Sequence, residues 1–375
     1  MKNISNSFLR NISNIPGWTC ETKIVVIESD DWGSIRMSSK NSYEKLKQKG
    51  LNITGGDSMR YNLFDTIEGA ADLELLFETL RLVKDSRGNH PVVTALSLSA
   101  NPDFEKIRSS NFSDYYYEPF TSTLDKYGRK GTIEAYKEGI KSKLFVPQFH
   151  GREHLNLAVW MRALQNKDPY TLAAFEEGVW GFKNNYNARI NYQAAFDLEL
   201  PEDVEGQKKI VAEGLELFEK LHGYRASFFV PPNGPINNVL EQTAAENGIQ
   251  FMSAPKIQLE ALGNGNTRKV YHYLGQQNKS KQIYITRNCF FEPSSDAKDW
   301  IASCLSDINI AFRWHKPAVI STHRVNYVGS LDEGNRKKGL EQLKTLLTQI
   351  VHKWPAVVFL SSNQLGEMIK ASKNY

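Results

Sequence analysis

Residues 25–34 read VVIESDDWGS, a run of β-branched residues that ends in two adjacent acids, Asp30 and Asp31. Side-by-side carboxylates repel, and a buried charge without a partner is costly. Solvent, a basic side chain or a metal ion must therefore compensate them. A second candidate set is FHGREH, where His150 and His154 stand four apart. On a helix the two imidazoles would point the same way. Gly151 between them also allows His150 to be the last residue of a strand. Neutral imidazole is a common ligand for zinc and its neighbours. With Asp31 as third ligand, two histidines and a carboxylate leave a coordination position open, as catalytic rather than structural sites do. Such an ion lowers the pKa of water beside it. In a regular strand Asp30 and Asp31 would face opposite ways, but at a strand end the backbone can turn and bring both to one pocket. His323, in THR at 322–324, is suited to give a proton to a leaving group. The plainer readings are a turn cap for the two acids, surface or capping positions for the paired histidines, and a hydrogen-bonded core edge for His323.

These residues need a scaffold. KIVVIE (23–28), HPVVTALSLSANP (90–102), RASFFVPP (225–232), IQFMSAP, QIYITRNCFFEP (282–293), PAVISTHRVNY (317–327) and AVVFLSS read as strands, and SKLFVPQFHGREHLNLAVWMRAL (142–164) as a short strand running into a helix. Helical spacing of apolar residues predicts helices over 72–85, 204–223 with Gly223 as cap, INNVLEQTAAENG, 296–314 and GLEQLKTLLTQIVHKW. The closing helix and strand are GLEQLKTLLTQIVHKW and AVVFLSS. Strand and helix alternate, which means an α/β fold with a mainly parallel sheet, open or closed into a barrel. Asp30, Asp31, His150, Asn233 and His323 all fall at C-terminal strand ends, where barrels carry their active sites. Residues 35–65 read as polar and irregular, 111–130 as an aromatic loop packed on the body, and 168–200 as an aromatic, Asn-rich insertion without a period.

The formal charge of +4, from 46 basic and 42 acidic residues, is too small to argue for nucleic acid or an anionic membrane. Cys20, Cys289 and Cys304 make neither a disulfide framework nor a paired zinc motif, so free thiols are expected. No apolar run long enough for a secretory signal or a membrane span is present, and the default expectation is cytoplasmic. There is no Gly-rich phosphate loop and no GxSxG elbow. Gly151 stands where the HExxH motif of zinc proteases has its Glu.

Taken in order, these motifs resemble those of the polysaccharide deacetylases, carbohydrate esterase family 4. The family's TFDDG is similar to ESDDWG at 28–33, its paired histidines to HGREH, its RxPYG to VPPNG at 230–234, and its last histidine to AVISTH. The resemblance implies a distorted (β/α) barrel of about seven parallel strands, here one domain over 20–370 with insertions near 35–65, 103–140 and 168–200. It implies Asp30 as catalytic base, Asp31, His150 and His154 as ligands of a divalent metal (zinc first, cobalt or nickel next), and His323 as general acid. Pro232, Asn233 and Arg152 are the expected substrate or oxyanion residues. The implied partner is an acetylated saccharide, its acetyl more readily on nitrogen than on oxygen; the oligomeric state is left open. The chain departs from the pattern at Val230, where the family's arginine steadies the base, and Arg152, Arg189, Arg287 and Arg324 are the possible replacements. DAKDW at 296–300 looks like a further family motif, but it begins a helix. Two alternatives stand beside this reading. One is a metal-dependent glycoside hydrolase or other amidohydrolase, for which Glu28, Glu153 and Glu292 would have to pair across a scissile bond. The other is a saccharide-binding protein without catalysis.

Overall fold

The computed structural model describes residues 8–55 and 58–373. Residues 56 and 57, within the segment expected to be irregular, and the first seven residues lie outside that description. Nine parallel strands form the main sheet: β1 (Ile24–Trp32), β2 (Val93–Leu98), β3 (Phe145–Gly151), β4 (Phe228–Phe229), β5 (Phe251–Ser253), β6 (Ile283–Ile285), β7 (Cys289–Phe290), β8 (Ala318–His323) and β9 (Val358–Phe359). The spatial order is β6-β5-β4-β3-β2-β1-β8-β7, with β9 beside the first two residues of β1, below the point where β2 takes over. The family resemblance implies about seven strands; the sequence itself reads as eight strand segments, and the ninth arises because 282–293 is divided into β6 and β7.

β1 is buried along all nine residues. It is covered on both faces, as a central parallel strand must be, and it pairs with β8 from Val25↔Ala318 to Asp30↔His323. Helices supply the cover. In Ala70–Arg81, Leu73, Leu76, Phe77 and Leu80 form one buried stripe at helical spacing. Asp203–His222 ends where Gly223 turns left-handed at φ 76°, the αL stop that glycine makes without a steric penalty.

The expected single strand over 282–293 is two strands, β6 and β7, lying at opposite ends of the sheet path. Residues 285 to 289 can span at most roughly 14 Å, so the sheet is curled until its two edges face each other. Among the described residues no ladder joins those edges. The break falls on the polar run Thr286, Arg287, Asn288, and the Asn288 N–H already bonds to Val319 O in β8.

Other elements also differ from the sequence reading. The segment 35–65 contains helices Lys40–Gln48 and Ser58–Phe64, and 168–200 contains Pro169–Glu176. A last helix, Ser362–Lys373, follows β9 where strand was expected to end the chain. Tyr117–Pro119, in the Tyr-rich stretch, pairs with Ala100–Pro102. The three cysteines are free. Among the described residues no helix is long and apolar enough to cross a membrane.

Candidate metal centre and its cavity

A cavity of about 910 Å³ opens at the C-terminal ends of the strands, and Asp30, Asp31, His150, His154, Arg287 and His323 all line it. Local backbone geometry brings the first two there together. The β1–β2 register shifts between Ser29 and Trp32, and Asp31 adopts φ 80°, a region where a non-glycine residue is strained. That twist is how neighbouring residues of one strand present both carboxylates to one space.

His150 and His154 are not on a helix. His150 sits at the end of β3 and His154 in the loop after it. Gly151 makes the turn at φ 122°, and a Cβ there would press to 3.2 Å from Glu153 O. The chain thereby folds back, leaving the imidazoles 5.3 Å apart by ring centroid. Asp31 Oδ1 lies 3.2 Å from His154 Nε2 and 3.5 Å from His150 Nε2. The donor atoms of all three residues lie within 4.8 Å of one another.

The hydrogen bonding of this trio is incomplete in an informative way. His150 Nδ1 donates to the backbone carbonyl of Val230 at 2.7 Å, which in a neutral ring turns the Nε2 lone pair toward Asp31. His150 Nε2 and Asp31 Oδ1 are buried with no hydrogen-bond partner. Burial pushes the His154 pKa down, against the pull of Asp31, and so favours the neutral, ligating form. Lone pairs that converge in a buried place without a donor between them call for a cation, and two imidazoles with one carboxylate suit a divalent transition ion. The residues present therefore fit the metal that the motifs imply.

Asp30 stands beside this centre in a clamp. Arg287 Nη1 and Nη2 donate to its two oxygens at 2.7 and 2.5 Å, and Arg287 Nε donates to Glu28 at 2.6 Å. Burial works to raise the Asp30 pKa, but Arg287, His150 and His323 outweigh it and hold the carboxyl below its ordinary value. Of the four arginines considered for the place lost at Val230, Arg287 is the one that reaches Asp30. His323 Nε2 is 3.7 Å from Asp30 Oδ2, and its Nδ1 donates to Glu292 Oε1 at 2.5 Å. Burial disfavours the imidazolium, yet Glu292, Asp30 and Asp31 together raise the His323 pKa to about 9. Glu292 is itself fixed by Arg60 at 2.6 Å and by Asn326 Nδ2 at 2.9 Å.

No family model matches the chain, and no curated protein does. Solved structures do. A protein described as a polysaccharide deacetylase from Mycobacterium smegmatis is similar at 12% identity, over 96% of this chain and 94% of that one, with a TM-score of 0.47. One so described from Pseudomonas aeruginosa PAO1 is similar at 9% identity, over 92% and 91%, with a TM-score of 0.48. The PuuE allantoinase is similar at 9% identity, over 96% and 94%, with a TM-score of 0.47. The chemistry of the site rests on its own atoms.

The remaining expected residues divide. Asn233, at φ 55°, lines the cavity in the turn from Pro231 to Gly234. Pro232 is not among the lining residues; it packs toward Gly151. Arg152 is also absent from the lining. Its guanidinium is consumed by Glu153 and Glu213 and lies 4.1 Å from the Tyr117 ring centroid, because the chain reversal at Gly151 turns it away from the imidazoles. DAKDW serves the helix Trp300–Arg313, with Asp299 accepting from Ala302 N at 2.9 Å as N-cap. Sequence reading considered Glu292 only as a glycosidase acid and did not find it as the partner of His323. The signal was present: CFFEP, like VVIESDD, ends an apolar run in an acid. Arg36, Tyr61 and Trp180 carried no such mark.

Proposed function

We propose that this chain is a metal-dependent hydrolase that removes an acetyl group, from nitrogen rather than oxygen, on a saccharide. The observation that carries the reading is the convergence of Asp31, His150 and His154 beside the Asp30–His323 pair at the mouth of the curled sheet. Held by those three residues, a divalent ion supplies Lewis acidity toward an acyl oxygen and lowers the pKa of water. Asp30 accepts the proton of the attacking water, and Arg287 keeps it ionised and pointed at the cavity. His323 Nε2 gives its proton to the departing nitrogen, and Glu292 keeps that imidazole charged at neutral pH. Asn233 is the candidate donor to the developing oxyanion.

Two of the alternatives, the glycoside hydrolase and the non-catalytic binder, are less well supported. Glu28, Glu153 and Glu292, the acids that a glycoside hydrolase would have to pair, do not line the cavity. The missing arginine that favoured a non-catalytic saccharide binder has a replacement in Arg287.

The test is an acetate-release screen over N- and O-acetylated saccharides, run with wild type, D30N and H323A. An amine leaves only when protonated, whereas an activated ester needs little help. H323A is expected to lose far more on an N-acetyl sugar than on an activated acetate ester. Equal losses on both remove His323 as the acid, and no acetate release from any saccharide by the wild type ends the reading.

A further inference from the structure

The arginines buried around this centre are almost all matched to acids. Arg287 holds Asp30 and Glu28, Arg60 holds Glu292, and Arg324 holds Asp65 and Glu68. Arg36 is the exception. It is only 6% exposed and lines the cavity, yet among the described residues no carboxylate lies within ion-pair distance of it. Its Nε and Nη2 are buried with no hydrogen-bond partner. Aromatic rings hold it: its guanidinium lies 5.5 Å from the centroid of Tyr61 and 5.4 Å from that of Trp180. Gly181 keeps the third side flat, since a Cβ there would come within 2.6 Å of Arg36 Nε. The carboxylates nearest in effect, Asp65 and Asp31, act on it only from beyond contact. A buried guanidinium without a contacting anion is expensive to maintain, and three groups are arranged to maintain this one at a cavity wall.

Its neighbours locate it relative to the chemistry. Trp180 stacks on His154 at 6.0 Å between ring centroids, and Tyr61 meets His323 edge-on at 5.5 Å. Arg36 therefore lies between the metal-ligand side and the proton-donor side of the cavity, sharing the Tyr61 wall with His323. We propose that Arg36 receives an anionic group of the substrate, a carboxylate or a phosphate carried by the part of the molecule that leaves with the proton from His323. The substrate class is then an acidic acylated sugar, such as an acylated amino uronic acid or a sugar phosphate, rather than a neutral polymer. A planar guanidinium is the side chain whose donor fork matches carboxylate and phosphate geometry. This inference rests on the deacylase reading for the identity of the acyl group but not for the capture of the anion.

The experiment is calorimetric titration of the full chain with glucose, glucuronate and glucose 6-phosphate, before and after removal of metal, on wild type, R36K and R36Q. Wild type is expected to prefer at least one charged sugar over glucose by roughly 10-fold or more, the size of one charge-assisted contact. The preference persists without metal, shrinks in R36K and disappears in R36Q. Glucuronate against glucose 6-phosphate separates carboxylate from phosphate. A wild-type protein indifferent to charge overturns the proposal whether or not the variants fold. So does a preference that survives in R36Q, or one that vanishes when metal is removed, since the anion then sits on the ion. If the charge preference follows Arg36 while no saccharide releases acetate, the deacylase reading fails and the anion site stands. If acetate is released from acidic and neutral sugars with a selectivity that R36Q does not change, the anion site fails and the deacylase reading stands.

Discussion

The guanidinium of Arg287 grips both oxygens of Asp30, at 2.7 and 2.5 Å, and holds Glu28 with its remaining nitrogen at 2.6 Å. One cation thus compensates two buried carboxylates of the central strand. Charge-assisted, two-point contacts of this kind fix orientation as well as charge, and they leave Asp30 ionised and turned toward the cavity. The acids that end VVIESDD are therefore answered in two ways, Asp30 by an arginine and Asp31 by a pair of imidazoles poised for a metal.

Arg287 is expected to be irreplaceable by lysine. R287K keeps the charge but cannot make the fork, so metal content should match wild type while turnover falls roughly 10-fold or more. R287M strands two buried acids and should in addition cost about 3–5 kcal/mol of folding stability. Urea unfolding, elemental analysis and acetate release on the same preparations check this. Undiminished turnover in R287K would show that Asp30 needs no clamp.

The metal ligands and the base should separate cleanly. H150A and H154A are expected to lose bound metal and activity together. D30N, nearly isosteric, should keep the metal and lose turnover by about 10²-fold or more, as removal of a positioned base does. Elemental analysis of protein purified without added metal decides the first half. Equal metal in wild type, H150A and H154A removes the assignment.

As the proposed general acid, His323 is expected to set the alkaline limit of turnover. Its pKa is raised to about 9, so as proton donor it is competent below that value and fails as pH climbs through it. The stabilisation it draws from Glu292 has the same sign: full below the ordinary histidine value of about 6.5 and lost as pH passes about 9. E292Q removes the leading carboxylate, and the falling limb of kcat should move to lower pH, toward that ordinary value. A kcat–pH profile with metal content checked at each point reads it out. A limb that stays in place in E292Q would assign the alkaline titration to another group.

Some of this was legible in the amino acids alone and some was not. The alternation of strand and helix followed from local periodicity, and Asp30, Asp31, His150, Asn233 and His323 were read at strand ends, so their shared cavity could be expected. The partners could not. Arg287 stands 257 residues from Asp30 in a stretch whose apolar pattern reads as one continuous strand. Only the curl of the sheet, a property of all the strands together, reveals that the stretch is broken there. Arg152 was expected among the substrate or oxyanion residues, and the turn at Gly151 sends it to Glu153 and Glu213 instead. Short ladders such as Phe228–Phe229 are held by their neighbours rather than by their own propensity.

The seam between the two ends of the sheet, crossed by residues 285–289 without a ladder, also imposes an order of events. The three candidate ligands are complete once residue 154 has been synthesised. Arg287, which clamps Asp30, and His323, the proposed proton donor, arrive only later in the chain. Contacts so distant along the chain carry the largest loop-closure cost and form late. The candidate ligands are thus in the chain long before Arg287 and His323 are, although the Val230 carbonyl that orients His150 also comes later. Under the proposed function, acetate release is expected only after the last strands have docked along that seam.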